Sequence, residues 1–193
     1  MLKGWCLKAV LAGIVSCLLV IVLVSCSSGG KPEPVAAQDP GGSQDGSPAA
    51  TFAPFIPRGR PANPMKQITI DAKVSGDQVS VLLGRVTSNW NTRFAVPTEQ
   101  GERTFMAYVA DSKVQVRADI CPPCRSRSFT LSNKGTLVCD ACGTVFDASS
   151  GKGITGACVA YPKEAAPYEI VTGSIVMSKA DLITAYEKTL EPN

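Results

Sequence analysis

No histidine occurs anywhere among the 193 residues. That absence excludes covalent haem attachment through C-x-x-C-H, iron–sulfur clusters with imidazole ligands and mixed cysteine–histidine zinc sites. Histidine-based acid–base catalysis is excluded with them. Charge of one sign is also scarce. Nineteen Lys and Arg against sixteen Asp and Glu leave +3, scattered along the chain, so no nucleic-acid footprint is present and no nucleic-acid partner is expected. No nucleophile–base constellation for hydrolysis is visible, so an ordinary enzyme is not expected. Any transition metal must be held by thiolates, with carboxylates a distant second.

The cysteines meet that requirement. Cys121-Pro122-Pro123-Cys124 is followed, after fourteen intervening residues, by Cys139-Asp140-Ala141-Cys142-Gly143. Two C-x-x-C pairs at this separation read as a four-thiolate metal site built on two knuckles. The two-residue gap lets both sulfurs of a knuckle reach one ion, and Gly143 permits the positive φ that turns backbone N–H groups toward them. The first knuckle departs from this pattern. Pro122 and Pro123 carry no N–H, and Arg125 stands where a glycine would be. Arg117, Arg125, Arg127 and Lys134 lie close enough in sequence to offset the net charge of four thiolates on a divalent ion, or to form only a solvated basic rim. Disulfides are the rival, because exported cysteines commonly pair. Cys158, after fifteen further intervening residues, makes the count of this group odd: it is a free thiol, a further ligand or an exchange partner.

The N-terminus reads as an address. Lys3 and Lys8 precede an uncharged apolar run from Ala9 to Val24, which ends in Leu23-Val24-Ser25-Cys26. A basic start, an apolar middle and small closing residues describe a secretory signal over residues 1–25. The last four resemble the lipobox of bacterial lipoproteins, which implies lipidation of Cys26. An uncleaved anchor from Trp5 to Val24 is the alternative, since it has about the length a bilayer needs. Both readings put the rest of the chain outside the cytoplasm, tied to the cell membrane. Cys6 and Cys17 are ordinary small apolar residues of that segment. Residues 26–65 form a tether: eight prolines and six glycines between Ser27 and Met65 cannot bury enough surface to fold. Phe52, Phe55 and Ile56 form a small apolar knot within it.

The folded domain spans residues 66–193 and is expected to be mainly β. Gln67–Asp71 alternates as a half-buried strand does, and Ser75-Gly76-Asp77 is a turn. A strand is expected over Gln78–Val86, and another over Thr92–Val96, stopped by Pro97. Arg103–Ala110 and Lys113–Ala118 form a hairpin around Asp111-Ser112; Tyr168–Val171 and Ser174–Met177 form a second around Thr172-Gly173. Ser178 caps a terminal helix whose apolar face is Leu182, Ile183, Tyr186 and Leu190.

From about Arg93 onward the chain resembles the C-terminal domain of FtrD-like membrane iron–sulfur proteins. The likeness is carried by Thr104-Phe105-Met106-Ala107-Tyr108-Val109, Val114 through Cys121, Leu137 through Phe146, Gly156-Ala157-Cys158 before Tyr161-Pro162, and Asp181-Leu182. Family members usually carry several membrane spans before this domain, where this chain has one anchor. A more distant likeness runs through Leu137–Gly143, Phe146-Asp147 and Gly151–Pro162, similar to a Rieske-type domain with cysteine in place of histidine. The two together imply a small Rieske-like or zinc-ribbon-like β domain, with Cys158 folded over the other four. They imply an iron–sulfur cluster, or mononuclear iron or zinc, on Cys121, Cys124, Cys139 and Cys142, with Cys158 at the cofactor. They imply electron transfer or metal handling linked to iron uptake, with a membrane permease or redox protein as partner. No Arg-Arg precedes the apolar run, so export is expected to thread an unfolded chain, which suits a mononuclear site loaded outside. A structural four-cysteine zinc module and a thiol–disulfide protein are the competing readings.

Overall fold

The computed structural model describes residues 55–193. The expected signal segment, Cys26 and residues 26–54 of the tether lie outside the described residues. Residues 55–65, the expected end of the tether, lie against the domain. Ile56 packs on the core and Pro61 is buried, while Phe55 is exposed. The Gly59 N–H donates to Ser112 Oγ at 3.2 Å.

The first elements among the described residues are β1 (Met65–Lys66), β2 (Ile68–Thr69), β3 (Lys73–Ser75), β4 (Gln78–Leu82) and helix α1 (Leu83–Asn89). Next come β5 (Asn91–Thr98), β6 (Gly101–Ala110) and β7 (Lys113–Ala118), then four short strands, of which β9 ends on Cys139 while the other four cysteines of the domain lie in loops: β8 (Phe129–Leu131), β9 (Thr136–Cys139), β10 (Val145–Asp147) and β11 (Gly153–Thr155). The hairpin β12 (Glu169–Val171) and β13 (Ser174–Ser178) leads into α2 (Lys179–Thr189). Three sheets result, in orders β2-β5-β6-β7, β12-β13-β4-β3 and β1-β8-β9-β10-β11. The domain is therefore mainly β with a C-terminal helix.

β6 is the wall the two cores share. Side chains alternate across a strand. Phe105, Ala107 and Val109 enter the core built with Val79, Val81, Ile175 and Leu182, while Met106, Tyr108 and Ala110 enter a second core with Phe129, Leu137 and Phe146. A strand covered on both faces reads as a continuous apolar run, which Phe105–Ala110 is. The second core lies under the cysteines, and Cys121, Cys139 and Cys158 belong to it.

Both expected hairpins form. Asp111 and Ser112 have φ of 48° and 61°, Thr172 and Gly173 47° and 75°, the two consecutive positive values of a tight hairpin turn. Three expectations are corrected. The strand from Gln78 ends at Leu82, and Leu83–Asn89 is helical, because Leu83 and Val86 bury the same face one turn apart. Pro97 does not stop β5, which runs to Thr98 with Pro97 opposite Glu102. β2 pairs only with Thr92 and Arg93, so this end of β5 is an edge where a missing N–H costs no ladder bond. On α2 the Ser178 cap forms, with Ser178 Oγ accepting from the Asp181 N–H at 3.3 Å. Its buried face is Leu182, Ala185, Tyr186 and Thr189, however, and Leu190 points to solvent.

Candidate metal centre

The first knuckle leaves β7 through Asp119 and Ile120. It is closed by an isolated bridge between Cys121 and Ser126, with the Cys121 N–H donating to the Ser126 carbonyl at 2.8 Å. Arg125 adopts φ 56°, close to the 68° of Gly143 in the second knuckle. An arginine thus takes the left-handed turn that the second knuckle gives to glycine. The second knuckle follows β9, where the Gly143 N–H donates to the Cys139 carbonyl and the Cys139 N–H to the Thr144 carbonyl, both at 2.9 Å. Asp140 pins it, accepting the hydroxyls of Ser128 and Thr130 at 2.6 Å each.

The sulfurs of Cys121, Cys124, Cys139 and Cys142 all lie within 4.8 Å of one another. Cys121 Sγ is 3.9 Å from Cys142 Sγ, and Cys124 Sγ is 3.6 Å from Cys139 Sγ. Each close contact joins one knuckle to the other. All five cysteines of the domain are free thiols, with spacings well beyond the roughly 2.05 Å of an S–S bond. A tetrahedron of thiolates about 2.3 Å from one zinc ion has edges of about 3.8 Å. The four residues therefore fit a thiolate-held metal. Cys158 Sγ lies 3.7 Å from Cys142 Sγ, buried, so the fifth cysteine does come beside the other four.

The environment treats the sulfurs unequally. Burial pushes the Cys121 and Cys139 thiols well above their ordinary range, with the neighbouring Cys124 thiol adding to the effect at Cys121. Burial acts the same way on Cys142, but hydrogen bonds from Thr144, and from Cys139 and Cys124, overcome it and hold that thiol down at about 6. Thr144 is fully buried; its Oγ1 is 3.2 Å from Cys142 Sγ and accepts the Cys158 N–H at 3.1 Å. One hydroxyl thus ties the Cys142 sulfur to the Cys158 backbone. Gly156 makes this approach feasible: at φ 112° it passes so near Thr144 that a Cβ would stand 2.6 Å from the Thr144 Cα.

The cation at the centre is Lys163, with no solvent exposure. Its ammonium donates to the Ile120 carbonyl and lies over the rings of Phe146 and Phe129. Burial lowers its pKa, and the charges of Cys121, Cys139, Cys158 and Cys124 oppose that shift. Of the four basic residues that the sequence brings near the cysteines, Arg125, Arg127 and Lys134 are exposed. Arg117 is buried for another purpose: its guanidinium donates to Tyr108 Oη at 2.9 Å, to the Ser149 carbonyl at 2.6 Å and to the Lys163 carbonyl. Sequence reasoning passed over Lys163 and Thr144. The only signal for Thr144 was its place next to Gly143, and Lys163 had none beyond following Tyr161-Pro162.

A family described as "Membrane iron-sulfur containing protein FtrD-like" matches residues 86–188. That is more than half of the chain. The chain belongs to this FtrD-like family. The family match and the four-sulfur cage together make it a metal- or iron–sulfur-binding protein. No curated protein matches the sequence. Two solved structures overlay in part. One is from the complex of reduced oxygenase and oxidized ferredoxin in carbazole 1,9a-dioxygenase, 17% identical over 46% of this chain and 81% of that chain, with a TM-score of 0.38. The other is a Sphingomonas yanoikuyae B1 ferredoxin, 21% identical over 45% of this chain and 83% of that one, with a TM-score of 0.35. Overlays this loose leave the FtrD-like fold to be described from its own strands.

Proposed function

We propose that this FtrD-like chain is a membrane-anchored, extracytoplasmic metal or iron–sulfur protein that transfers electrons or handles metal in support of iron uptake. The observation that carries the reading is the four-sulfur cage, whose Cys124 and Cys142 are only half-buried while Cys121 and Cys139 are enclosed. When bound, a redox-active centre here supplies an electron close to the surface. Cys121, Cys124, Cys139 and Cys142 would hold it, and Lys163 would offset their negative charge from the protein side. The two half-exposed sulfurs leave a short path to a permease or redox protein. The family's own description supports membrane association. Among the described residues no helix is long and apolar enough to cross a membrane. The proposed anchor is the N-terminal segment, with Cys26 as its lipidated residue, and the basic start, apolar run and lipobox-like Leu23-Val24-Ser25-Cys26 support it.

The mutual closeness of the four sulfurs favours a second reading beside the first. A two-iron cluster needs its two ligand pairs spread apart around bridging sulfides, whereas a cage within 4.8 Å suits one ion. A single zinc ion would make the site a structural fastener for an interaction module. Metal analysis of the purified full chain, with its visible spectrum before and after reduction, separates the two. A coloured iron-containing protein that bleaches on reduction supports electron transfer. Colourless protein with one equivalent of zinc supports the fastener, and a chain that takes up no metal overturns both.

A further inference from the structure

Cys158 stands outside the set of four sulfurs that lie mutually within 4.8 Å, yet its own sulfur is 3.7 Å from one member, Cys142. We propose that Cys142 and Cys158 form a second redox site, a dithiol that exchanges with small disulfide compounds and, by closing, withdraws one sulfur from the cage.

Three features of the chain support this. Thr144 Oγ1 is 3.2 Å from Cys142 Sγ and accepts the Cys158 N–H at 3.1 Å, so a single buried side chain holds the two cysteines side by side. Gly156, two residues before Cys158, lets the loop press against the Thr144 backbone more closely than any side chain would allow. Exposure also differs between the pair: Cys142 reaches the surface and Cys158 is 2% exposed. An external disulfide can therefore approach Cys142 but not Cys158, which divides the roles into attacking and resolving sulfur.

The exchange balances in two steps. The Cys142 thiolate attacks a small disulfide RSSR, forming a mixed disulfide and releasing RS⁻. The Cys158 sulfur then attacks the Cys142 sulfur, its proton leaves with the second RS⁻ as RSH, and the Cys142–Cys158 bond closes. The two cysteines lose two electrons and RSSR gains them. Cys142 is then unable to serve as a thiolate ligand, and the cage retains three.

The release of metal rests on the cage being a metal centre; the cross-link does not. The test is to treat the full chain, zinc-loaded and metal-free, with oxidised glutathione, map disulfides by peptide mass spectrometry and follow zinc with a chromogenic chelator. A Cys142–Cys158 cross-link in both forms, with zinc released in step from the loaded one, is the expected result. In Cys158→Ser both the cross-link and the oxidant-driven release are lost. Cross-links confined to Cys121–Cys124 or Cys139–Cys142, or zinc retained after the Cys142–Cys158 bond has formed, would overturn the proposal. If the untreated chain takes up no zinc, the metal reading fails, and the map of the metal-free chain still decides whether this dithiol exists.

Discussion

The ammonium of Lys163 lies 4.6 Å from the centroid of the Phe146 ring and 5.1 Å from that of Phe129. Both rings belong to the core beneath the cysteines, so the lysine's amino group is sealed beside aromatic faces under the sulfurs. A buried cation is costly unless charges of opposite sign face it. Four thiolates on a divalent ion would carry net −2, and this is the charge that Lys163 would meet. The lysine and a filled cage are therefore energetically linked.

Replacing Lys163 with Met, which keeps the stem and removes the charge, is expected to weaken metal binding by about 10–100-fold. The metal-free chain should lose no stability or gain some, because an under-compensated buried charge has gone. Competition titration against a chelator measures the first effect and thermal melting the second. If affinity is unchanged, Lys163 has no electrostatic link to the cage.

Asp119 gives a signed pH dependence. Burial raises its carboxyl to about 6, against the opposing pull of the hydrogen bond from Gln67 and of Arg93, whose guanidinium is 2.9 Å away. A folded pKa above the unfolded one favours the protonated form, so this contribution is fully present below about 4 and is lost as pH rises through about 6. A shift of about two units corresponds to roughly 3 kcal/mol. Asp119→Asn should remove this slope, so that its stability relative to the parent chain grows between pH 4 and pH 7. Urea unfolding of both chains across one buffer series checks the difference, and parallel profiles would contradict it.

Two glycines with positive φ should respond very differently to alanine. At Gly143, φ 68°, a new Cβ meets nothing within 4 Å, so only left-handed strain of about 1 kcal/mol is expected. At Gly156, φ 112°, it would stand 2.6 Å from the Thr144 backbone, and about 2–4 kcal/mol is expected from strain and displacement together. Gly156→Ala should also speed alkylation of Cys158, since the loop must lift. Chemical denaturation and timed labelling give the two readouts.

Arg117→Met leaves the buried Lys163 carbonyl and the part-buried Ser149 carbonyl without their donor. Unpaired buried acceptors cost about 1–3 kcal/mol each, so a loss of about 3 kcal/mol is expected. Arg117 does not touch the sulfurs, so the metal stoichiometry should stay at the parent value while the denaturation midpoint falls.

What could be read from the sequence had short range. Asp111-Ser112 and Thr172-Gly173 announced their hairpins because a tight turn is set by two residues, and each knuckle announced itself through one two-residue gap. The helix at Leu83 was hidden because Val79, Val81 and Leu83 continue a strand's alternation up to the point where the chain curls. Lys163 was hidden for a different reason. Its partners are the Ile120 carbonyl, forty-three positions earlier, and rings on β8 and β10, and no local pattern separates a lysine with such partners from one in water. Thr144 looked like any polar residue after a turn glycine until Cys158 was brought to it by a loop whose course local spacing does not determine.

The chain order of the sheets bears on how the protein is made. Residues 121–158, which hold all five cysteines of the domain, are an excursion between β7 and β12, and the sheet that packs on the other face of β6 closes only when β13 joins β4, Ser174 opposite Leu82 and Ser178 opposite Gln78. During synthesis from the N-terminus, every one of these sulfurs emerges before the strand that completes the sheet across β6. For that interval the thiols are exposed to wrong pairings and to whatever metal is at hand. The last twenty residues supply Ile175, Met177, Leu182, Ala185 and Tyr186 to the core across β6 from the sulfurs, so truncating them should open that core and leave the thiols unprotected for as long as β6 stays uncovered.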